Sequence, residues 1–308
     1  MSEKYIFTIL GGDRRQAVVA ARLLDLGHTV RIYGLGELSA RLCGAEIFSS
    51  VDKAVFGCDA LILPLPVSRD NINLYFAMSP TSQTVSLKDI LNNASKSGCQ
   101  VVLGGMIPDE ALRQAQTLGL SAYDYYSSPD LQRKNALPSA EGALMIAMEH
   151  TDITVKGMKA LVCGYGRIGS CLAAILDKLG AEVTVAARGD GALCEASLCG
   201  YGAVRIDPSD TQGLADAANL CDVIFNTVPS VIFNEQVLNG IRRKPLYIEV
   251  ASSPGGIDVA EARQAGMQII FAPSLPGRYA PRSAGEYIFE TLSDILKKIG
   301  MEVDCEGS

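Results

Sequence analysis

Leu161-Val162-Cys163-Gly164-Tyr165-Gly166-Arg167-Ile168-Gly169 reads as an apolar strand running into G-x-G-x-x-G and then into a helix. That is the context in which the motif means a dinucleotide-binding turn. The three glycines have separate jobs: Gly164 permits the tight turn, Gly166 lets the backbone approach a pyrophosphate, and Gly169 lets the helix pack close to the strand. The pyrophosphate would rest on N–H groups of the first helical turn, at Arg167 and Ile168, where the partial positive charge favours an anion.

The flanks extend this unit. Ile168, Cys171, Leu172, Ile175, Leu176 and Leu179 recur at the spacing of one helix face, and Gly180 follows as a C-cap. Glu182-Val183-Thr184-Val185-Ala186-Ala187 is the next strand. An NAD site places Asp or Glu at the end of that strand to accept from the ribose 2′-hydroxyl. Here the position holds Arg188, then Gly189, with no carboxylate until Asp190. A guanidinium suits a 2′-phosphate, so NADP is expected, with NAD as the alternative if Arg188 is only a solvated strand-end residue.

At 308 residues the chain is long enough for two cores, and its net charge of −7 offers no basic footprint for nucleic acid or an anionic membrane surface. No apolar run approaches membrane-spanning length. Met1-Ser2-Glu3-Lys4 passes directly into a strand without a secretory h-region. The nine cysteines are scattered with no C-x-x-C, so buried reduced thiols in a cytoplasmic protein are expected. With only His28 and His150 and no Cys/His cluster, no metal site is expected.

The first segment is also wound. Tyr5–Leu10, Thr29–Tyr33, Ala60–Pro64 and Gln100–Gly104 read as strands alternating with helices, the pattern of a parallel sheet covered on both faces. Its turn, Gly11-Gly12-Asp13-Arg14-Arg15-Gln16, has Gln16 where a third glycine would be needed. This makes it either an anion or substrate cradle or a plain strand–helix turn. Strands at 222–229, 246–251 and 268–272 complete the second sheet, and Ser283-Ala284-Gly285-Glu286 reads as a capping box opening a last helix. The expected architecture is α/β with two doubly wound parallel-sheet domains. Residues 1–139 would form a substrate domain and 140–150 an interdomain helix capped by Ser139. Residues 151–282 would form the Rossmann domain, with helix 283–300 returning to the first.

Several stretches together resemble the dipicolinate synthase A-subunit family of spore-forming bacteria: Asn135–Gly142, His150-Thr151-Asp152, Asn226–Ser230, Ala251–Gly256, Leu275–Gly285 and the opening Gly11-Gly12-Asp13-x-Arg15-Gln16. The resemblance covers nearly the whole chain and extends, more distantly, to 2-hydroxyacid and alanine dehydrogenases. It implies loss of water from a 4-hydroxy-tetrahydrodipicolinate, then hydride transfer from the dihydropyridine to NADP⁺ to give dipicolinate. It also implies a partner, the flavoprotein-like B subunit, together with homo-oligomers and a place in the mother cell during sporulation.

On that basis the nicotinamide half is expected against Thr227-Val228-Pro229 and Ala251-Ser252. The two substrate carboxylates would need two anion sites, one at Arg14 and Arg15 and one at Arg278, Arg282 and Ser283, with Ser139 nearby. Ala272 to Arg282 contains no His, where related hydroxyacid dehydrogenases keep their general base. That absence disfavours the alternative of a 2-hydroxy- or 2-amino-acid dehydrogenase. Glu141 and His150 are the candidate proton acceptors; half a turn out of phase on one helix, they cannot both face the same site, and Glu141 is preferred. A non-catalytic NADP-binding scaffold is the third reading, disfavoured by the intact glycine set with Arg188.

Overall fold

The structure, a computed structural model, describes residues 3–78 and 84–303. It divides into two compact units: one takes the chain up to Lys134 and again from Ala280, and the other runs Asn135–Tyr279. Cys305, read above as one of the buried thiols, lies outside the described residues, as do Met1 and Ser2.

In the first unit the strands are β1 (Ile6–Leu10), β2 (Thr29–Tyr33), β3 (Glu46–Ile47), β4 (Ala60–Ile62), β5 (Val101–Gly104) and β6 (Ser121–Asp124). Between and after them run α1 (Arg14–Asp25), α2 (Val51–Val55), α3 (Leu87–Lys96), α4 (Asp109–Thr117) and α5 (Pro129–Lys134). The second unit opens with α6 (Ala136–His150). It continues as β7 (Lys159–Cys163), α7 (Arg167–Lys178), β8 (Glu182–Ala187), α8 (Asp190–Leu198), β9 (Gly202–Arg205) and α9 (Gln212–Leu220). Its last elements are β10 (Val223–Asn226), α10 (Glu235–Gly240), β11 (Leu246–Glu249), α11 (Val259–Gln264), β12 (Ile269–Phe271) and α12 (Leu275–Tyr279). The final helix, α13 (Pro281–Lys298), belongs to the first unit.

Both sheets are six-stranded and parallel, in the orders β3-β2-β1-β4-β5-β6 and β12-β11-β10-β7-β8-β9. Each chain segment starts at the sheet centre, winds to one edge, returns and winds to the other. The crevices at the carboxyl ends of β1/β4 and β7/β10 are therefore the places such sheets offer to ligands. Burial on both faces explains the near-continuous apolar strands. In the first sheet Phe7 and Ile9 face one core with Val19 and Leu23 of α1 and Ile288, Phe289 and Leu292 of α13, while Leu10 and Leu61 face the other.

Several expectations are corrected. The last helix starts at Pro281, which occupies the first helical position with no side-chain cap, so Ser283 and Glu286 form no capping box. Proline is favoured there because its missing N–H would be unpaired anyway. Likewise α6 begins at Ala136: Pro138 is tolerated within the first turn, and Ser139, instead of capping, donates from Oγ to the Asn135 carbonyl at 2.8 Å. The unit boundary falls at Lys134/Asn135, so residues 135–150 count with the second unit. Finally, Cys43, Cys194 and Cys199 are exposed, although Cys58, Cys99, Cys163 and Cys221 are buried as expected.

Truncating Phe289, which is 2% exposed in the first unit's core, is expected to cost about 3–5 kcal/mol in urea unfolding. Leu198→Ala, at a site 83% exposed, should stay within about 0.5 kcal/mol.

Candidate functional site

The turn after β7 has the geometry its glycines predict. Gly164 has φ +90°, a left-handed conformation that disfavours any side chain. A Cβ on Gly169 would run into the Gly164 carbonyl, so α7 sits as close to the turn as backbone allows. Thr227 closes the third side, its Oγ1 donating to the Cys163 carbonyl at 2.8 Å. Gly166 differs: it is the N-cap of α7, offers no side-chain cap, and a Cβ built on it meets nothing within 4 Å. An uncapped helix N-terminus beside open space has both the donors and the room that a pyrophosphate needs. Arg167 is exposed and Ile168 half-buried in the first turn of that helix.

At the end of β8, Arg188 is exposed, and a second arginine joins it. Arg205, the last residue of β9, donates from Nη1 to the Arg188 carbonyl at 3.0 Å and pairs through Nη2 with Asp190. Sequence reading missed Arg205 because Gly202-Ala203-Val204-Arg205 lacks a strand's apolar alternation. The pairing of β8 with β9 was the missing signal.

The loops after β10 and β11 lie at the same end of the sheet. Val228 is 7% exposed, Pro229 and Ser252 are exposed, and Thr227 and Ala251 are half-buried. Glu141 is on this side too: α6 packs along α7, and burial followed by the Glu141 charge pushes the Cys171 thiol upward. Glu141 is the sixth residue of α6, beyond its first turn.

His150 is elsewhere. It lines an open cavity of about 520 Å³ with Asp222, Pro245 and Gln268, the residues that lead into β10, β11 and β12. This is the amino end of the sheet, so His150 is corrected as a partner of the dinucleotide loops. Its Nδ1 lies 2.9 Å from the Ile146 carbonyl.

In the first unit the Gly11-Gly12 turn is closed to anions, which corrects the cradle reading. The Gly11 and Gly12 N–H groups donate to the Tyr33 and Tyr75 carbonyls at 2.8 and 3.0 Å. The Asp13 carboxylate already caps α1, in a capping box with Gln16. Arg15, expected to face substrate, is 3% exposed. It donates from Nε and Nη2 to both oxygens of Asp13 at 3.0 and 2.9 Å, and also to the Leu65 carbonyl. Arg14 points outward and carries no ion pair among the described residues. Helices α1 and α13 run parallel: Gly285 lies against Val18 and the Arg15 carbonyl, and Glu286 pairs with Arg22 at 3.2 Å. The exposed Arg282 and Ser283, in the first turn of α13, therefore sit at the same end as Arg14. Arg278 falls in the second unit, on the short α12, with its guanidinium 5.2 Å from the Tyr279 ring centroid. Arg282, grouped with it above, is on a different helix, α13, in the first unit.

Among the described residues no group of three or more His, Cys, Asp or Glu could hold a metal ion, and no helix is long and apolar enough to cross a membrane.

Residues 6–126 match the family model for the N-terminal domain of the dipicolinate synthase A subunit. Over 295 residues, 96% of each chain, the sequence is 30% identical to the dipicolinate synthase A subunit of Bacillus subtilis. The chain belongs to the dipicolinate synthase A-subunit family. The crystal structure of the dipicolinate synthase A chain from Bacillus subtilis superposes with a TM-score of 0.80 at 28% identity, covering 97% of this chain and 98% of that one. That of the Bacillus halodurans A subunit gives 0.81 at 27%, covering 95% and 97%. Like these A subunits, the chain carries two parallel-sheet units and a C-terminal helix.

Two glycine substitutions separate structural from open positions in this family's turn. Gly169→Ala forces Cβ into the Gly164 carbonyl and is expected to cost about 1–3 kcal/mol. Gly166→Ala, with free space around it, should cost under about 1 kcal/mol. Urea melts of the two proteins check this, and equal losses would refute the assignment of roles.

Proposed function

We propose that the chain binds NADP on its second unit and, as the A subunit of dipicolinate synthase, oxidises dihydrodipicolinate to dipicolinate. The dihydropyridine arises from 4-hydroxy-tetrahydrodipicolinate by loss of water. The observation that carries the cofactor choice is at the ends of β8 and β9. An NAD site needs a free carboxylate there. This chain has Arg188 and Arg205, and Asp190, two residues beyond Arg188, is already paired with Arg205. The two guanidinium groups suit a 2′-phosphate, and the open N-terminus of α7 at Gly166 suits the pyrophosphate. Thr227, Val228, Pro229, Ala251 and Ser252 are the residues assigned to the nicotinamide half.

When bound, NADP⁺ supplies the hydride acceptor. The substrate gives up one hydride and one proton to become aromatic, so the chain's own residues need only hold its two carboxylates and take one proton. Arg14, Arg282 and Ser283 on the first unit supply two cationic side chains and, at α13, a helix N-terminus without a side-chain cap for a carboxylate. Arg278 is the cation assigned to the other. Glu141 is assigned the proton, since no His occurs between Ala272 and Arg282. The A-subunit name of the relatives supports a partner, a flavoprotein-like B subunit. We further propose that the reaction runs in the cytoplasm of the mother cell during sporulation and that the chain also forms homo-oligomers.

Arg188→Asp is expected to weaken NADP binding by about 10- to 100-fold while leaving NAD nearly unchanged, as measured by titration of each dinucleotide. Equal losses would remove the argument for the phosphate.

The activity is tested with freshly generated 4-hydroxy-tetrahydrodipicolinate and NADP⁺, following NADPH absorbance and dipicolinate mass with and without the B subunit. Both signals should rise with this chain present. Turnover of simple 2-hydroxy acids instead would favour a hydroxyacid dehydrogenase, and NADP binding without product in either case would leave a binding scaffold.

A further inference from the structure

Glu249 is 3% exposed at the end of β11, and among the described residues no Lys or Arg pairs with it. A buried carboxylate without a cation must be held by hydrogen bonds. Oε1 accepts from Asn226 Nδ2 at 2.7 Å and from the Ala251 N–H at 3.1 Å. Oε2 accepts from the Gly256 N–H at 2.7 Å and from the Tyr247 hydroxyl at 3.2 Å. Three of the four partners, the Asn226 amide and the Ala251 and Gly256 N–H groups, can only donate, so both oxygens act as acceptors. Burial, and then the negative charge of Glu249, hold the Tyr247 hydroxyl well above its usual range, which keeps its proton on as a donor.

The donors come from the end of β10, from β11 itself and from the loop after β11. Asn226, 0% exposed, also spans its own loop, donating from Nδ2 to the Val228 carbonyl at 2.9 Å and accepting from the Val228 N–H at 3.2 Å. The Asn226 carbonyl accepts from the Val250 and Ala251 N–H groups at 2.9 and 3.1 Å, and the Gly256 carbonyl accepts from Ile232 and Phe233 at 2.9 Å each. Next to Asn226 stands Thr227, bonded to the Cys163 carbonyl at the glycine turn. One carboxylate thus sits at the junction of the β10 loop, the β11 loop and, through Thr227, the dinucleotide turn.

We propose that Glu249 is the positioning residue of the nicotinamide end of the site, a buried strut whose four hydrogen bonds fix Thr227-Val228-Pro229 and Ala251-Ser252 relative to the glycine turn. This rests on the cofactor reading above. Its reach is local, because Arg188, Arg205 and Gly166 share none of these bonds. The strut therefore governs one end of the dinucleotide and not the other.

The experiment titrates the whole chain with NADP and with adenosine 2′,5′-bisphosphate, which lacks the nicotinamide end. Glu249→Gln turns one acceptor oxygen into an amide facing donors, and should weaken NADP about tenfold while leaving the bisphosphate within about twofold. Tyr247→Phe removes a single donor and guards against a Gln variant that does not fold. It should weaken NADP about two- to tenfold, again sparing the bisphosphate. Folded variants that lose both ligands in equal proportion, or neither, overturn the strut while the cofactor reading stands. A wild-type chain that binds neither ligand overturns the cofactor reading and the strut with it.

Discussion

The close seat of α7 on the turn after β7 sets the geometry on which the second unit depends. It exists because Gly169 presents only a hydrogen to the Gly164 carbonyl, and because Gly164 adopts a φ of +90°. Thr227 then locks β10's loop to the same turn by its bond to the Cys163 carbonyl. With these three segments fixed, the axis of α7 points through Gly166 into open space. A helix with unpaired N–H groups aimed at solvent favours an anion by geometry and partial charge together. A methyl group at Gly169 would push the helix off the turn, and one at Gly164 would run into Thr227; either disperses that alignment.

The two units make the same turn from the same strand order and use it in opposite ways. In the first, Asp13 fills the N-terminus of α1 with its own carboxylate and Arg15 turns inward to neutralise it, giving a buried pair with 2.9 Å between charges. Such a pair gives specificity of conformation more than net stability, and it leaves nothing for a ligand. In the second unit the cap residue is glycine and nothing replaces the anion. The fold is therefore silent about function at this position, and a single cap residue decides it.

Much of the architecture was legible in the sequence, and the exceptions have one cause. The strands that reading missed, Glu46–Ile47, Ser121–Asp124 and Gly202–Arg205, are all sheet edges with exposed or half-exposed residues. Central strands announce themselves through burial on both faces, whereas edges carry little apolar signal. Helix starts were misplaced where a serine following a proline was taken for the cap, at Pro138/Ser139 and Pro281/Ser283. At the candidate site the glycines were legible because each does a backbone job that no other residue can do. Arg15, Arg205 and Glu249 were not, since whether a charged side chain faces solvent, a partner or the core depends on neighbours distant in sequence.

The charges resolve an apparent conflict between an acidic chain and anionic ligands. With a net charge of −7, the average surface repels a dinucleotide phosphate or a dicarboxylate. Average charge matters little at contact range, because screening confines exposed charges to roughly 8 Å at physiological ionic strength. What counts is which charges stay uncommitted beside each loop. Asp13 is tied to Arg15, Asp190 to Arg205, and Glu249 to four hydrogen-bond donors, so the acids at these strand ends are already committed. Arg14, Arg188 and Arg282 remain exposed without ion pairs among the described residues, at the ends where the helix N-termini also point. The chain can be acidic overall and still offer positive ends to its ligands, because its local acids are spent on its own backbone and arginines.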